Sequence, residues 1–445
     1  MIELSPQIVA IIMGGGLLLG VAIGYPLAFV IGGVALIVGY VLFGDQVFGL
    51  MYVRVFDQLV SYTLLAIPLF VFMATMLSRA GLAERLYEAF YLWLAGFRGG
   101  LAIITVLIGT IVAACVGNVG ASVTMLTLIA LPPMVMRGYS KQLACGSVCA
   151  GGSLGTLIPP SIMLVIYGPM AAISVGKLFA GAIGPGLLLS GLYCSYIAIR
   201  AFIQPKMAPA LPREERAKVS FRRKTFALAT ALIPPGILIL AVLGSIFMGI
   251  APPTEAAAVG ALASTLLAIG YRKLSWQILK DVAQETLWIS SMILFIGATS
   301  FAFTGVFLGA GCGKIVENAI TAVPGGAWGS FALMMFVIFI LGFFIDWIGI
   351  IYIIVPIFIP IAPILGFNPL WFGLMIIVNF QLAYMTPPFA WPMFYVRGCS
   401  PPELGITMGD IIKGVIPFAM LIVVGIGLCI AFPQILLWLP SMMIK

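Results

Sequence analysis

Two stretches decide how this chain is read: LGTLIPPSIMLVIYG at 154–168 and LAYMTPPFAWPMFYVRG at 382–398. Each sets a proline pair inside an apolar run, Pro159-Pro160 in the first and Pro387-Pro388 in the second, 228 residues apart. The same offset pairs Asn118 with Asp346, Pro132 with Pro360, Gly138 with Gly366 and Tyr167 with Tyr395. Near the start, Pro26 and Gly33 match Pro253 and Gly260 at an offset of 227. One such match means little in a chain rich in Gly and Pro. An ungapped run of them from 118 to 167 marks an internal repeat. The reading divides the chain into a first repeat (1–205), a basic linker (206–224) and a second repeat (225–445).

The solvent of this repeat is lipid. Of 445 residues, 62% are apolar and 8% are charged, and mean hydropathy is +1.21. A soluble domain carries about 25% charged residues, and its surface must meet water. Runs long enough to span a bilayer, roughly 20 apolar residues, recur around 100–116, 182–203, 226–247, 328–345 and 415–438. The fold class is therefore an all-α polytopic membrane protein.

The net charge of +8 does not point to nucleic acid, because much of it sits in one segment. Lys206, Arg213, Arg216, Lys218, Arg222, Arg223 and Lys224 face only Glu214 and Glu215 there. A basic loop between apolar spans reads as cytoplasmic. Two short spans, about 227–249 and 254–270, then return the chain to Arg272, Lys273 and Lys280 on the same side. The matching loop of the first half, about 44–60, holds Asp45 and Asp57 with only Arg54, and reads as non-cytoplasmic. Equivalent loops on opposite sides mean an inverted repeat with both termini periplasmic. Inverted repeats are a recurrent plan of secondary transporters, with the substrate near the midplane on broken helices.

The breaks are visible. Gly117-Asn118-Val119-Gly120-Ala121-Ser122 interrupts one apolar run, and Gly151-Gly152-Ser153-Leu154-Gly155-Thr156, followed by Pro159-Pro160-Ser161, interrupts another. In the second half the breaks are Asp346-Trp347-Ile348-Gly349 and Thr386-Pro387-Pro388. Lipid offers no hydrogen-bond partner, so a backbone unwinds at membrane depth only inside protein or beside water. Freed carbonyls with Ser, Thr, Asn and Asp oxygens make a site suited to sodium, and opposed helix N-termini attract an anion. Asp346 is the sharpest residue, since an acid within a span is a functional-site hypothesis by default; pairing with a remote Arg or an interfacial position is the alternative. Asn118 is read as a site residue or as a helix cap. Arg397 is read as snorkelling to the interface or as binding substrate. Pro253 with Glu255 reads as an ordinary helix start. Gly16, Gly20 and Gly24 read as a packing face, and 81–98 as an amphipathic bracing segment.

Other chemistries lack their parts. There is no His to act as base or relay. The seven Cys are scattered in apolar runs, and no GxxxxGK[ST] loop points to ATP. No catalytic constellation can be assembled, and the chain is not read as an enzyme. No cleavable signal peptide is read at the N-terminus, whose apolar stretch runs on to Phe43.

The segments IGYPLAF (23–29), AIPLFVFMATMLSRAG (66–81), PPMVMRGY (132–139), VGKLFAGAIGPG (175–186) and PPTEAAAVGAL (252–262), in order with the two proline-pair stretches, resemble the large membrane subunit of tripartite ATP-independent periplasmic (TRAP) transporters. The resemblance covers essentially the whole chain. It implies about 11–12 transmembrane helices with two re-entrant hairpins, working as an elevator. It implies sodium-coupled import of an organic acid across the bacterial inner membrane, with a small four-helix membrane subunit and a periplasmic substrate-binding protein as partners. No cofactor is implied beyond sodium as the coupling ion. Carried onto this sequence, the sodium ligands fall at Gly117, Asn118, Gly155, Thr156 and Pro159, and at Asp346, Gly349, Thr386 and Pro387. Ser122, Ser161 and Arg397 are the candidates for substrate. Two departures stand out: the first tip reads VGNVGAS where many relatives are serine-rich, and Phe389, Trp391, Phe394 and Tyr395 make a bulky run. A stand-alone sodium-coupled dicarboxylate or citrate carrier is the alternative.

Overall fold

The structure is a computed structural model that describes residues 4–94, 96–210, 220–388 and 390–443. Arg213, Glu214, Glu215, Arg216 and Lys218 of the basic linker, and Phe389 of the bulky run, lie outside the described residues. Among those described, the chain is helical throughout. Seven helices are long and apolar enough to cross a membrane, and seven shorter apolar helices accompany them.

The first half opens with α1 (Pro6–Ala22) and α2 (Leu27–Phe43), joined at a turn where Gly24 takes φ +94°. A Cβ on Gly16 would meet Val34 at 3.2 Å and one on Gly20 would meet Val30 at 2.5 Å, so these two glycines pack α1 on α2. Gly24 packs against nothing and serves the turn. Next come α3 (Gln46–Leu59) and α4 (Ala66–Arg79), separated by a 3₁₀ turn. The break has a local cause. Pro68 has no N–H to give the carbonyl of residue 64, and its ring crowds the preceding turn. The amphipathic segment is α5 (Leu82–Leu94), with Leu82, Leu86 and Tyr87 buried.

The next four helices hold the breaks: α6 (Gly100–Val116), α7 (Val119–Met136), α8 (Lys141–Ser153) and α9 (Ile162–Ala171). A long helix, α10 (Val175–Ile203), closes the half. The second half runs α11 (Phe221–Phe247), α12 (Pro253–Gly270), α13 (Trp276–Gly309) and α14 (Cys312–Thr321). It continues with α15 (Gly326–Leu341), α16 (Trp347–Phe358), α17 (Ile361–Ile364), α18 (Pro369–Met385), α19 (Trp391–Cys399), α20 (Met408–Ala431) and α21 (Gln434–Ser441). Pro253 opens α12 and Glu255 sits exposed in its first turn, as an ordinary helix start requires. Two halves of the same element order can be laid side by side: α7 against α16 with α17, α8 against α18, and α9 against α19. One difference is plain. Where the first half breaks into α3 and α4, α13 runs unbroken for 34 residues, about 51 Å at 1.5 Å per residue. That exceeds the roughly 30 Å hydrocarbon layer, and its first turns carry Lys280, Asp281 and Glu285.

Packing crosses the halves at the centre. The helices that follow the breaks pack across the halves in exchanged pairs: α7 packs on α19, and α16 packs on α9. Around them α8 packs on α20 and α4 on α12, while α2 and α3 pack along α13. Gly151 and Gly152, which sequence alone places in the break, sit in the last turn of α8. A Cβ on Gly109 would fall 2.5 Å from the Gly151 carbonyl oxygen, and one on Gly152 would collide with Val123. These glycines let α6, α7 and α8 approach backbone to backbone, and the break itself begins at Leu154.

Candidate functional site

The site begins at a reversal. Gly117 ends α6 in the left-handed region (φ 58°, ψ 13°), a conformation that only glycine takes without strain. Asn118 follows in extended conformation, and its Oδ1 accepts from Gly120 N at 2.8 Å and Ala121 N at 3.4 Å. The capping reading of Asn118 therefore describes its side-chain oxygen. Against this tip lies the break between α8 and α9. A Cβ on Gly117 would stand 3.1 Å from the Pro160 carbonyl oxygen. One on Gly155 would stand 3.3 Å from Ser122 Oγ and 3.4 Å from the Asn118 carbonyl oxygen. Ser122 is fully buried and its hydroxyl has no hydrogen-bond partner. Ser161 Oγ donates to the Thr156 carbonyl oxygen at 2.5 Å. The Pro159-Pro160 and Pro387-Pro388 peptide bonds are both cis.

The second half joins the first here. Gln381 on α18, fully buried, donates from Nε2 to Thr156 Oγ1 at 2.8 Å, and its Oε1 has no partner. Asp346 stands at the N-terminal end of α16 in extended conformation, its carboxylate beside the Trp347 and Ile348 backbone N–H groups. Both ion pairs found among the described residues belong to Arg79, with Asp281 at 4.0 Å and Glu285 at 3.3 Å, so Asp346 has no Arg or Lys partner there.

A cavity of about 130 Å³ unites these parts. Gly117, Asn118, Gly120 and Thr156 line it from the first half, and Asp346, Tyr384, Trp391 and Tyr395 from the second. Ile162, Ile289, Met292 and Ile293 complete its apolar side. A smaller cavity of about 30 Å³, which shares Asn118 with the first, is lined also by Thr75, Ser78, Ala121 and Glu285. The structure thus brings Gly117, Asn118, Thr156 and Asp346 into one space, with Gly155, Ser122 and Ser161 packed behind the first tip and Pro159 buried in the same break. It sets the others apart. Gly349 lies within α16 against Leu27 and Ile345. Thr386 closes α18, donating to the Leu382 carbonyl at 2.7 Å, and Pro387 is exposed. Arg397 is exposed at the end of α19, donates to the Ile406 carbonyl and borders a separate cleft with Ser400 and Thr407. Sequence reading missed Gln381 and Tyr384. The signal was present for Gln381, an amide within the apolar run 370–385, and the logic applied to Asp346 applies to it.

Comparison with known proteins fits this geometry. Residues 14–435 match the family described as the tripartite ATP-independent periplasmic transporter, DctM component. The chain is 33% identical over 390 residues to the C4-dicarboxylate TRAP transporter large permease protein DctM of Pseudomonas aeruginosa, covering 87% of this chain and 88% of that protein. It is 30% identical to the ectoine TRAP transporter large permease protein TeaC of Halomonas elongata, covering 85% and 86%. It is also 30% identical to the isethionate TRAP transporter permease protein DctMQ of Oleidesulfovibrio alaskensis, covering 78% of this chain and 53% of that one. Among solved structures, the fold is shared with the YdaH transporter of Alcanivorax borkumensis (TM-score 0.57, 16% identity, 83% and 86% covered) and with MtrF of Neisseria gonorrhoeae (TM-score 0.59, 11% identity, 98% and 96% covered). The curated relatives are permease subunits of transporters and not enzymes. A polytopic helical chain whose two halves meet at one central cavity, matched over nearly its full length, belongs to the DctM component family: it is the large membrane subunit of a TRAP transporter.

Proposed function

We propose that this subunit conducts sodium-coupled, binding-protein-dependent import of a small organic acid across the inner membrane. The observation that carries the reading is the central cavity, where Asp346 is the one formally charged residue and no Lys or Arg contributes. A carboxylate at membrane depth without a partner costs roughly 3 kcal/mol or more. A sodium ion among Asp346, the carbonyls of the unwound segments and the Thr156 region would offset that cost and tie the two halves together. Sodium is then a transported coupling ion, in keeping with sites built from unwound backbone. The orphan Ser122 hydroxyl supports a second oxygen-lined position behind the first tip.

The same reading takes the α6–α7 and α15–α16 pairs as re-entrant hairpins of an inverted repeat. They move with the broken helices as an elevator against a scaffold that includes α2, α4, α12 and α13. The small membrane subunit and a periplasmic binding protein act in trans. C4-dicarboxylate, ectoine and isethionate, named for the relatives, share a carboxylate or sulfonate oxygen set, and that is the anionic feature this subunit would handle.

The test is uptake into proteoliposomes holding this chain with its small subunit, with labelled organic acids and the cognate binding protein outside. Uptake that needs both an inward sodium gradient and the binding protein supports the proposal. Sodium-driven uptake without the binding protein would favour a stand-alone carrier. Flux indifferent to sodium would remove the coupling mechanism.

A further inference from the structure

The central cavity has a wall chemistry that the coupling ion does not account for. Four of its lining side chains are aromatic: Trp347, Tyr384, Trp391 and Tyr395. Trp391 and Tyr395 stack one helical turn apart, with centroids 5.9 Å apart and planes at 21°. Tyr395 presses on the first tip so closely that a Cβ on Gly120 would come 2.8 Å from its ring and hydroxyl. Tyr384 lines the cavity and is 5% exposed; its hydroxyl is buried and has no hydrogen-bond partner. No basic side chain joins them, and Asp346 supplies the only formal charge.

This wall disfavours a dianion, which would sit beside Asp346 with no fixed cation to balance it. Aromatic faces carry negative potential, and rings around a space are the usual receptors of ammonium groups. A simple cation would match the rings, but once a sodium ion balances Asp346 the lowest residual charge comes with a net-neutral guest. The cavity, about 130 Å³, is of the same order as the roughly 150 Å³ that holds one benzene ring, so only a small guest can enter.

We infer that the substrate of this subunit is a small zwitterion, with one oxyanion and one quaternary ammonium or amidinium group, the cationic group packed on Trp391, Tyr395 and Tyr384. This deepens the transport reading and rests on it for the role of the cavity.

The experiment uses the full chain with its small subunit in lipid nanodiscs. Thermal unfolding and tryptophan quenching are titrated with glycine betaine, proline betaine, succinate or benzoate, in sodium chloride and in potassium chloride. The expected result is binding of one or both betaines in preference to succinate and benzoate. Trp391→Leu and Tyr395→Leu should each weaken it roughly tenfold, while Trp391→Phe and Tyr395→Phe, which keep a ring, should hold it within about threefold. Preference for succinate or benzoate, binding of none of the four, or equal affinity in the Leu and Phe variants overturns the proposal. The two readings separate cleanly. Stabilisation by sodium alone that Asp346→Asn abolishes, together with a preference for succinate, leaves coupling standing and sinks the zwitterion. Betaine binding that is identical in potassium supports the zwitterion and sinks the coupling.

Discussion

At the scale of single residues, one carboxylate and one amide decide how the centre behaves. Asp346 lines the cavity with no ion-pair partner among the described residues. Asp346→Asn keeps the shape and an oxygen but removes the charge, so half-saturation by sodium should rise by at least about tenfold in sodium-titrated uptake; an unchanged sodium curve would exclude Asp346 as a ligand. The Gln381–Thr156 bond makes an asymmetric prediction. Thr156→Val strands a buried Nε2 donor and should cost about 1–3 kcal/mol in unfolding stability, whereas Gln381→Leu removes the donor and the orphan Oε1 together and should cost about 1 kcal/mol or less. The residue types of Asn118 and Asp346 were legible as anomalies in an apolar run. What each does was not: Asn118 accepts from two backbone N–H groups of its own helix through its side-chain oxygen, while Asp346, its mate at the same offset, lies beside the Trp347 and Ile348 N–H groups and faces the cavity with its charge.

At the scale of elements, glycine is used for approach as much as for turning. Gly109 on α6 and Gly151 on α8 meet so that a methyl group on Gly109 would stand 2.5 Å from a backbone oxygen. Neither backbone can step aside, so Gly109→Ala should destabilise the folded subunit by about 1–3 kcal/mol. Gly191→Ala, at an exposed position of α10 with nothing within 4 Å, should be neutral or stabilise by up to about 1 kcal/mol. Thermal unfolding of both variants in the same detergent checks the pair, and equal midpoints would refute the close approach. The amphipathic segment was readable as α5 because its apolar positions recur at helical spacing. The start of the break between α8 and α9 was not readable, since Gly151 and Gly152 suit a loop and a tight helix crossing equally well. The ion pairs of Arg79, both with partners about a third or more exposed, belong to the surface, and Arg79→Ala should change stability by less than about 1 kcal/mol.

At the scale of the molecule, the proposed inversion is testable by sidedness. Asp45 and Lys273 are both exposed, in the loops that follow α2 and α12. In a variant whose seven native cysteines are replaced, Asp45→Cys and Lys273→Cys should react with a membrane-impermeant maleimide from opposite faces of the membrane; labelling from the same face would make the repeat parallel. Composition alone determined that this chain lives in lipid, because an apolar share of 62% with 8% charge leaves no polar surface for water. Two proline pairs 228 residues apart pointed to breaks at 154–161 and 386–388, where the structure leaves the α-helix, although Pro132-Pro133 and Pro234-Pro235 lie inside α7 and α11, so a proline pair alone does not fix a break. Only the tertiary structure decided which of the broken residues share a space. Gly117, Asn118, Thr156 and Asp346 meet because α7 crosses to α19 and α16 crosses to α9, while Gly349, Thr386, Pro387 and Arg397, equally conspicuous in sequence, turn elsewhere. The reason is physical: a break is a property of a few adjacent residues, but a cavity is made by helices more than two hundred residues apart, and no local pattern records which faces they turn to one another.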